Sequence, residues 1–462
     1  MSTAESPRSR APERPTRRGA ASTAALWWAT GVVAALIALA ILVPAVTGVD
    51  VHVNSFPPLH AEWMPRLGPG TIPALVLAVA AARWGVGLAR RVPWRALLWV
   101  VFGASALWMA SLAFVDTASG LGAILASRHE YLPTAEQVVD DVPAMLREFT
   151  SRIPWDAPDN WPIHVAGHPP GALLFFVALV RLGLGSWVVA GAVVILIAST
   201  TAVAVLVAMR RLGAEVAARR AAPFLAMGPA AIWTATSADA VFAATAAWGL
   251  CLLAHAATAS MARALAWWAV GAGLLLGWCV MLSYGLPLLG VLSLTVLALG
   301  RSWWPLPLAA ASALVVVLAF VPFGFAWWEA FPVLVERYWE GAAVRPGWYW
   351  TWANLAALAC TAGPVVGAAT ASAVGGLARS LRHRPSGREL LVASSLSAAA
   401  LATVLLADAS QMSRSEVERI WLPFVPWLLV GTALLPLRWR RAGFVVQLGF
   451  ALVVQHLLHT GW

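Results

Sequence analysis

Apolar runs of about 17 to 25 residues recur along this chain, separated by short loops that carry arginine. A helix needs roughly 20 apolar residues to cross about 30 Å of hydrocarbon. With 60% hydrophobic and only 11% charged residues, the chain lacks the polar cover that a soluble domain of this length requires. It reads as an all-α polytopic membrane protein with about thirteen transmembrane helices.

The net charge of +10 would suit a nucleic-acid partner only if it were gathered on one aqueous face. All 31 basic residues are arginine, and they fall in loops between apolar runs. The clusters are Arg90, Arg91 and Arg95; Arg210, Arg211, Arg219 and Arg220; Arg379, Arg382, Arg384 and Arg388; Arg438, Arg440 and Arg441. Such clusters mark cytoplasmic loops of a plasma-membrane protein, so nucleic-acid binding is excluded as the reading of the charge. Cys251, Cys279 and Cys360 all lie inside apolar runs and read as packing residues, not as a disulfide or zinc framework. Residues 1–24 are polar and rich in Pro and Arg, and read as a disordered cytoplasmic tail before an integral membrane domain over 25–462.

Alternating the spans with the arginine loops inside leaves one long polar stretch, residues 116–185, on the outer side. Within it VVDDVPAMLREF sets Val138, Val142, Met145, Leu146 and Phe149 on one helical face, as expected of a helix lying on the membrane surface. The next apolar run, GALLFFVALVRLGLG, is short, carries Arg181 and is broken by Gly183 and Gly185. Counting it as a span would invert every later arginine cluster, so it reads as a re-entrant helix. Most of the 21 acidic residues then gather on the outer face, where orientation does not require them and chemistry can use them.

Asp116 stands where a span meets the outer water, suited to a general base whose proton affinity burial can raise. Asp50 holds the same kind of position after the first span and rivals it. Asp140 and Asp141 are adjacent, so they cannot face one another as a pair; one supports the site or both are simply solvated. Asp239, in the turn SADA, either caps the following helix with Ser237 or lines the site. His164 and His168 have ligand spacing only on a continuous helix, which Gly167, Pro169 and Pro170 argue against. No cofactor is assigned, and a divalent metal is left open. The prolines instead hold His168 at the waterline, where it suits a phosphate or a sugar hydroxyl. Arg337 and Arg345, in a loop dense in Trp and Tyr, and Arg419 suit an anionic phosphate. Glu416 and Arg419 are spaced to pair across one turn.

His168-Pro169-Pro170-Gly171, following Asp116 in the first large outer loop, resembles the GT-C superfamily of membrane glycosyltransferases. Protein O-mannosyltransferases carry a similar His-Pro-Pro motif, and the style of the chain is similar to actinobacterial cell-envelope mannosyl- and methylthioxylosyl-transferases. Gly171 and Ala172 replace the bulkier residues usual there. The resemblance implies a catalytic Asp at position 116 and a second site Asp at 239. It implies a sugar donor on polyprenyl phosphate and a glycan, lipoglycan or protein acceptor on the outer face, with inversion at the anomeric carbon. The rival class is a transporter or flippase of lipid-linked envelope precursors. Transporters usually place ionisable groups or broken helices at mid-membrane, whereas here the charges gather at the waterline.

Overall fold

The computed structural model describes residues 22–53, 56–382 and 387–461; most of the expected tail, and Arg384, lie outside them. The protein is an all-α polytopic membrane protein. Among the described residues, eight helices are long and apolar enough to cross a membrane: Thr23–Thr47, Thr71–Arg91, Trp94–Asp116, Trp187–Arg211, Ala238–Ala257, Ala262–Leu282, Pro305–Phe323 and Arg388–Ala409. Helices Gly347–Ala362 and Val366–Arg382 make a ninth if counted together, bent by 101°.

Among the described residues, long continuous helices account for eight or nine of the roughly thirteen expected spans. Leu286–Gly300 and Val425–Leu434 are short apolar helices, and the helix Glu215–Ala226 is interrupted after Ala226, with helix resuming as Ala231–Thr234. The helix Leu437–Leu457 carries Arg438, Arg440 and Arg441 in its first turns. Periodicity and apolarity mark all of these segments in the sequence, but proline, glycine and charge shorten or break their helices. The apolar helix Pro170–Arg181 has 12 residues, a length of about 18 Å, which is too little to cross the hydrocarbon.

Ala238–Ala257 is the most enclosed of the long helices, packed against Trp187–Arg211 and Ala262–Leu282. Its many alanines allow the close approach that holds helices together in lipid, where hydrophobic burial gives no preference. Gly273 and Gly277 do the same one layer out: a Cβ on either would lie 2.2 Å from the carbonyl oxygen of Ala309 or 2.6 Å from that of Ala313. At the 101° bend Gly363 takes φ +86°. The freed backbone there is met by buried Gln447, which donates to the Ala362 carbonyl at 2.7 Å and accepts from the Val365 amide at 3.4 Å. In lipid such groups must find a protein partner.

The two ends of the bundle differ in chemistry. At one, Arg210 lies 4.6 Å over the Trp94 ring, Arg219 donates to the carbonyls of Ala89 and Val92, and Arg388 donates to those of Leu212 and Leu299. At the other gather Asp116, Glu130, His164, Asp239 and Glu416. There strand Glu62–Trp63 pairs antiparallel with Leu458–His459 and ties the loop after the first span to the last helix.

Candidate functional site

Backbone strain marks the acidic end. Thr117, Thr236, Ser415 and Glu416 all have positive φ, at 64°, 73°, 73° and 59°. Non-glycine residues in such conformations cost about 1–3 kcal/mol each and collect at functional sites. Each of these lies within four residues of a polar side chain of interest: Asp116, Asp239 or Arg419.

Arg419, only 3% exposed, is the hub. Its Nη1 lies 3.2 Å from Asp239 Oδ2 and its Nη2 lies 3.3 Å from Glu416 Oε2. Nη2 also lies 3.2 Å from His164 Nε2. Arginine only donates, so this ring nitrogen accepts, leaving Nδ1 to carry the proton facing Glu130 Oε1 at 2.7 Å. Burial alone would lower the Arg419 affinity for its proton, but Asp239, Glu130 and Glu416 outweigh it and raise it. Burial likewise pushes the Glu416 carboxyl up, and Arg419, His60 and Arg345 overcome it to hold it at about 2. Glu130 is held below its ordinary range in the same way, burial being outweighed by His164 and Arg419. Glu416 and Glu130 are thus held ionised by the cations around them, and Asp239 pairs with the same guanidinium.

His168 sits one shell away. Its Nδ1 is 2.9 Å from the His164 carbonyl and 2.8 Å from the Tyr131 hydroxyl. The carbonyl can only accept, so Nδ1 donates and Nε2 keeps its lone pair. Burial lowers the His168 proton affinity, against a smaller opposing pull from Asp239. The turn behind it is built for close packing: a Cβ on Gly171 would lie 2.4 Å from the Met281 carbonyl, which is why a bulkier residue is not used there. Glu418, fully buried beside this cluster, accepts from the His60 amide at 3.2 Å. Burial first, then Glu416, push its carboxyl up to about 7.

Asp116 occupies a second centre at the same end. Its side chain is 24% exposed. Arg66 grips both oxygens, with Nε on Oδ1 and Nη2 on Oδ2 at 2.9 Å, and Gln455 donates to Oδ2 at 2.9 Å. The small polar pocket here is also lined by Ile232, Ala235, His459 and Thr460. Ile232 and Ala235 belong to the segment that runs on through Thr236 to Asp239, so the two centres share a wall.

The other residues singled out in the sequence fall in different places. Asp50 is exposed and, among the described residues, bonds to nearby His52, accepting from its amide at 2.7 Å. Asp140 is exposed, and Asp141 caps the helix Val142–Glu148 by accepting from the Ala144 amide at 3.0 Å. Ser237 makes no capping bond with its side chain, and Asp239 pairs with Arg419 instead. Arg337 is buried and donates to the carbonyls of Ile153 and Trp161, with its guanidinium 3.7 Å from the Trp155 ring centre; it pins the first large loop to the third. Arg345 donates to the Arg414 carbonyl at 2.7 Å and meets Glu416 at 3.3 Å.

Arg66, Glu130, Tyr131, His60 and Gln455 were not singled out by the sequence. Arg66 and His60 lie in the first outer loop, whose signal was only one arginine and a second histidine near Asp50; Gln455 lies in an apolar run where a lone amide stands out. Among the described residues no group of three or more His, Cys, Asp or Glu could hold a metal ion. The short helix Ile163–Ala166 ends before His168, and both histidine side chains are engaged elsewhere. The chain matches no protein-family model and no curated protein sequence.

Proposed function

We propose that the protein is a membrane glycosyltransferase that moves one sugar, mannose or a pentose-like sugar, from polyprenyl phosphate to an envelope glycan, glycolipid or protein. The observation that carries this reading is the Asp116 centre: a partly exposed carboxylate held by Arg66 and Gln455 in a polar pocket. An acid and a guanidinium at the end of a membrane bundle suit an acceptor hydroxyl and a lipid phosphate together.

In this reading the acceptor oxygen bonds to the anomeric carbon as the bond from that carbon to the phosphate oxygen breaks. The hydroxyl proton passes to Asp116, and polyprenyl phosphate leaves. Arg66 supplies positive charge where the leaving phosphate gains negative charge, an effect strengthened in a place of low dielectric. His168 offers Nε2 to a sugar hydroxyl. The Arg419 network keeps its donors for its own carboxylates and fixes the loops around the pocket. The acidic end is the extracytoplasmic face, because the arginine loops lie at the other end.

The test is transfer of labelled sugar in proteoliposomes, from a panel of polyprenyl-phosphate hexoses and pentoses, by wild type and by Asp116→Asn, Asp50→Asn and His168→Ala. Loss in Asp116→Asn with Asp50→Asn active supports the assignment. Full activity in Asp116→Asn overturns the base, and transfer from no donor in the panel, with donor flipped across the bilayer instead, overturns the enzyme in favour of a flippase.

A further inference from the structure

A site at the opposite end of the bundle has no place in that chemistry. Arg440 lies in the first turn of the helix Leu437–Leu457, its amide bonded to the Pro436 carbonyl at 2.9 Å. It is only 7% exposed, yet among the described residues its Nε and Nη1 are buried without a hydrogen-bond partner. Burying an ionised group without a partner is strongly unfavourable. The charged groups that act on it are Arg220 and Arg90, both exposed and both of its own sign. Burial first, and then these two, lower its proton affinity to about 10, which leaves it fully charged at neutral pH. Arg219, donating to the carbonyls of Ala89 and Val92, locks the two helices that carry Arg90 and Arg220 together. Phe444, one turn along from Arg440, packs against Phe224 at 5.3 Å and beside Gly85, so the helices that carry Arg220 and Arg90 flank that of Arg440, and among the described residues no carboxylate acts on its guanidinium.

The depth of the site says what would neutralise it. Trp439, next to Arg440, packs edge-on against Trp27 at 4.9 Å, and Trp27 opens the first span with its side chain largely exposed. Tryptophans at the ends of spans sit at the headgroup level, and basic pockets between helices at that level take lipid phosphates.

We propose that Arg440, with Arg90 and Arg220, forms a phosphate-binding site that seats the headgroup of an anionic lipid of the cytoplasmic leaflet. The proposal is independent of the transferase reading.

The test uses the full chain purified in detergent, with retention of added lipid read by native mass spectrometry and unfolding temperature read alongside. Wild type is expected to retain phosphatidylglycerol over phosphatidylcholine and to be stabilised by it. Arg440→Gln is expected to weaken that retention about tenfold, while Arg263→Gln, an exposed arginine on another helix, leaves it unchanged. Inorganic phosphate is run as a competitor: displacement of the lipid by phosphate supports the same site and assigns it a soluble phosphate. Equal retention of the two lipids, or unchanged selectivity in Arg440→Gln, overturns the proposal. If Arg440→Gln does not fold, the surface variants Arg90→Gln and Arg220→Gln decide: a loss of about fivefold each is expected, and no loss overturns the site.

Discussion

Replacing Arg419 by Gln removes the guanidinium that Asp239, Glu416 and His164 share. At 3.2 Å and an effective dielectric constant of about 20, the attraction to Asp239 alone is about 5 kcal/mol. Desolvation cancels much of that for an intact pair, but not for a broken one, because the carboxylate remains buried without its partner. The expected loss of stability is about 3–5 kcal/mol, against less than about 1 kcal/mol for breaking the more exposed Arg210–Glu215 pair at the other end. The assay is reversible unfolding in mixed micelles, run as a double-mutant cycle with Asp239→Asn. Removing both charges together should recover about 2 kcal/mol relative to the sum of the single losses. A loss below about 1 kcal/mol in Arg419→Gln, or strict additivity, would refute the view that this guanidinium keeps the loops in place.

Gln447→Leu should cost about 1–3 kcal/mol, because it strips the Ala362 carbonyl and Val365 amide of their partner at the 101° bend; the same unfolding assay reads it, and a neutral effect would mean that the bend is satisfied otherwise. Glu418 predicts a pH dependence. Its folded carboxyl is pushed up to about 7 from an ordinary 4.5, so between those values the folded state binds more protons than the unfolded one. Stability therefore falls as pH rises through that window, by on the order of 3 kcal/mol from this group, and is flat above it. His60, lowered by burial, acts in the opposite sense, adding stability as pH rises toward 6.5. Glu418→Gln should abolish the fall and leave the His60 rise, and an unchanged profile would show that Glu418 is not the group responsible.

The long helices were legible because length and apolarity alone determine them, and each of the eight lies on a run visible in the sequence. The helices that differ do so for local reasons: Pro223 and the Met227–Ala230 break in one case, and Gly363 with its Gln447 partner in another. Hydropathy averages over such positions. The pairing of Glu416 with Arg419 was legible because it is local, three residues apart. The sharing of Arg419 with Asp239 and His164 was not, since it joins loops hundreds of residues apart. Arg66 was missed for the same reason: nothing near it in the sequence says that the last helix and the strand Leu458–His459 will carry it onto Asp116. Arg337 shows the converse. Its aromatic neighbours suggested a ligand, and the same rings instead cover a guanidinium that holds two loops together.

The central claim, that the Asp116 carboxylate takes a proton during transfer from a polyprenyl-phosphate sugar, is tested most directly by single-turnover transfer in proteoliposomes. If Asp116 is the base, wild type gives an inverted anomeric product and Asp116→Asn transfers about 10²–10⁴-fold more slowly, with donor binding retained. Transfer at the wild-type rate by Asp116→Asn, or a product with retained configuration, would contradict it.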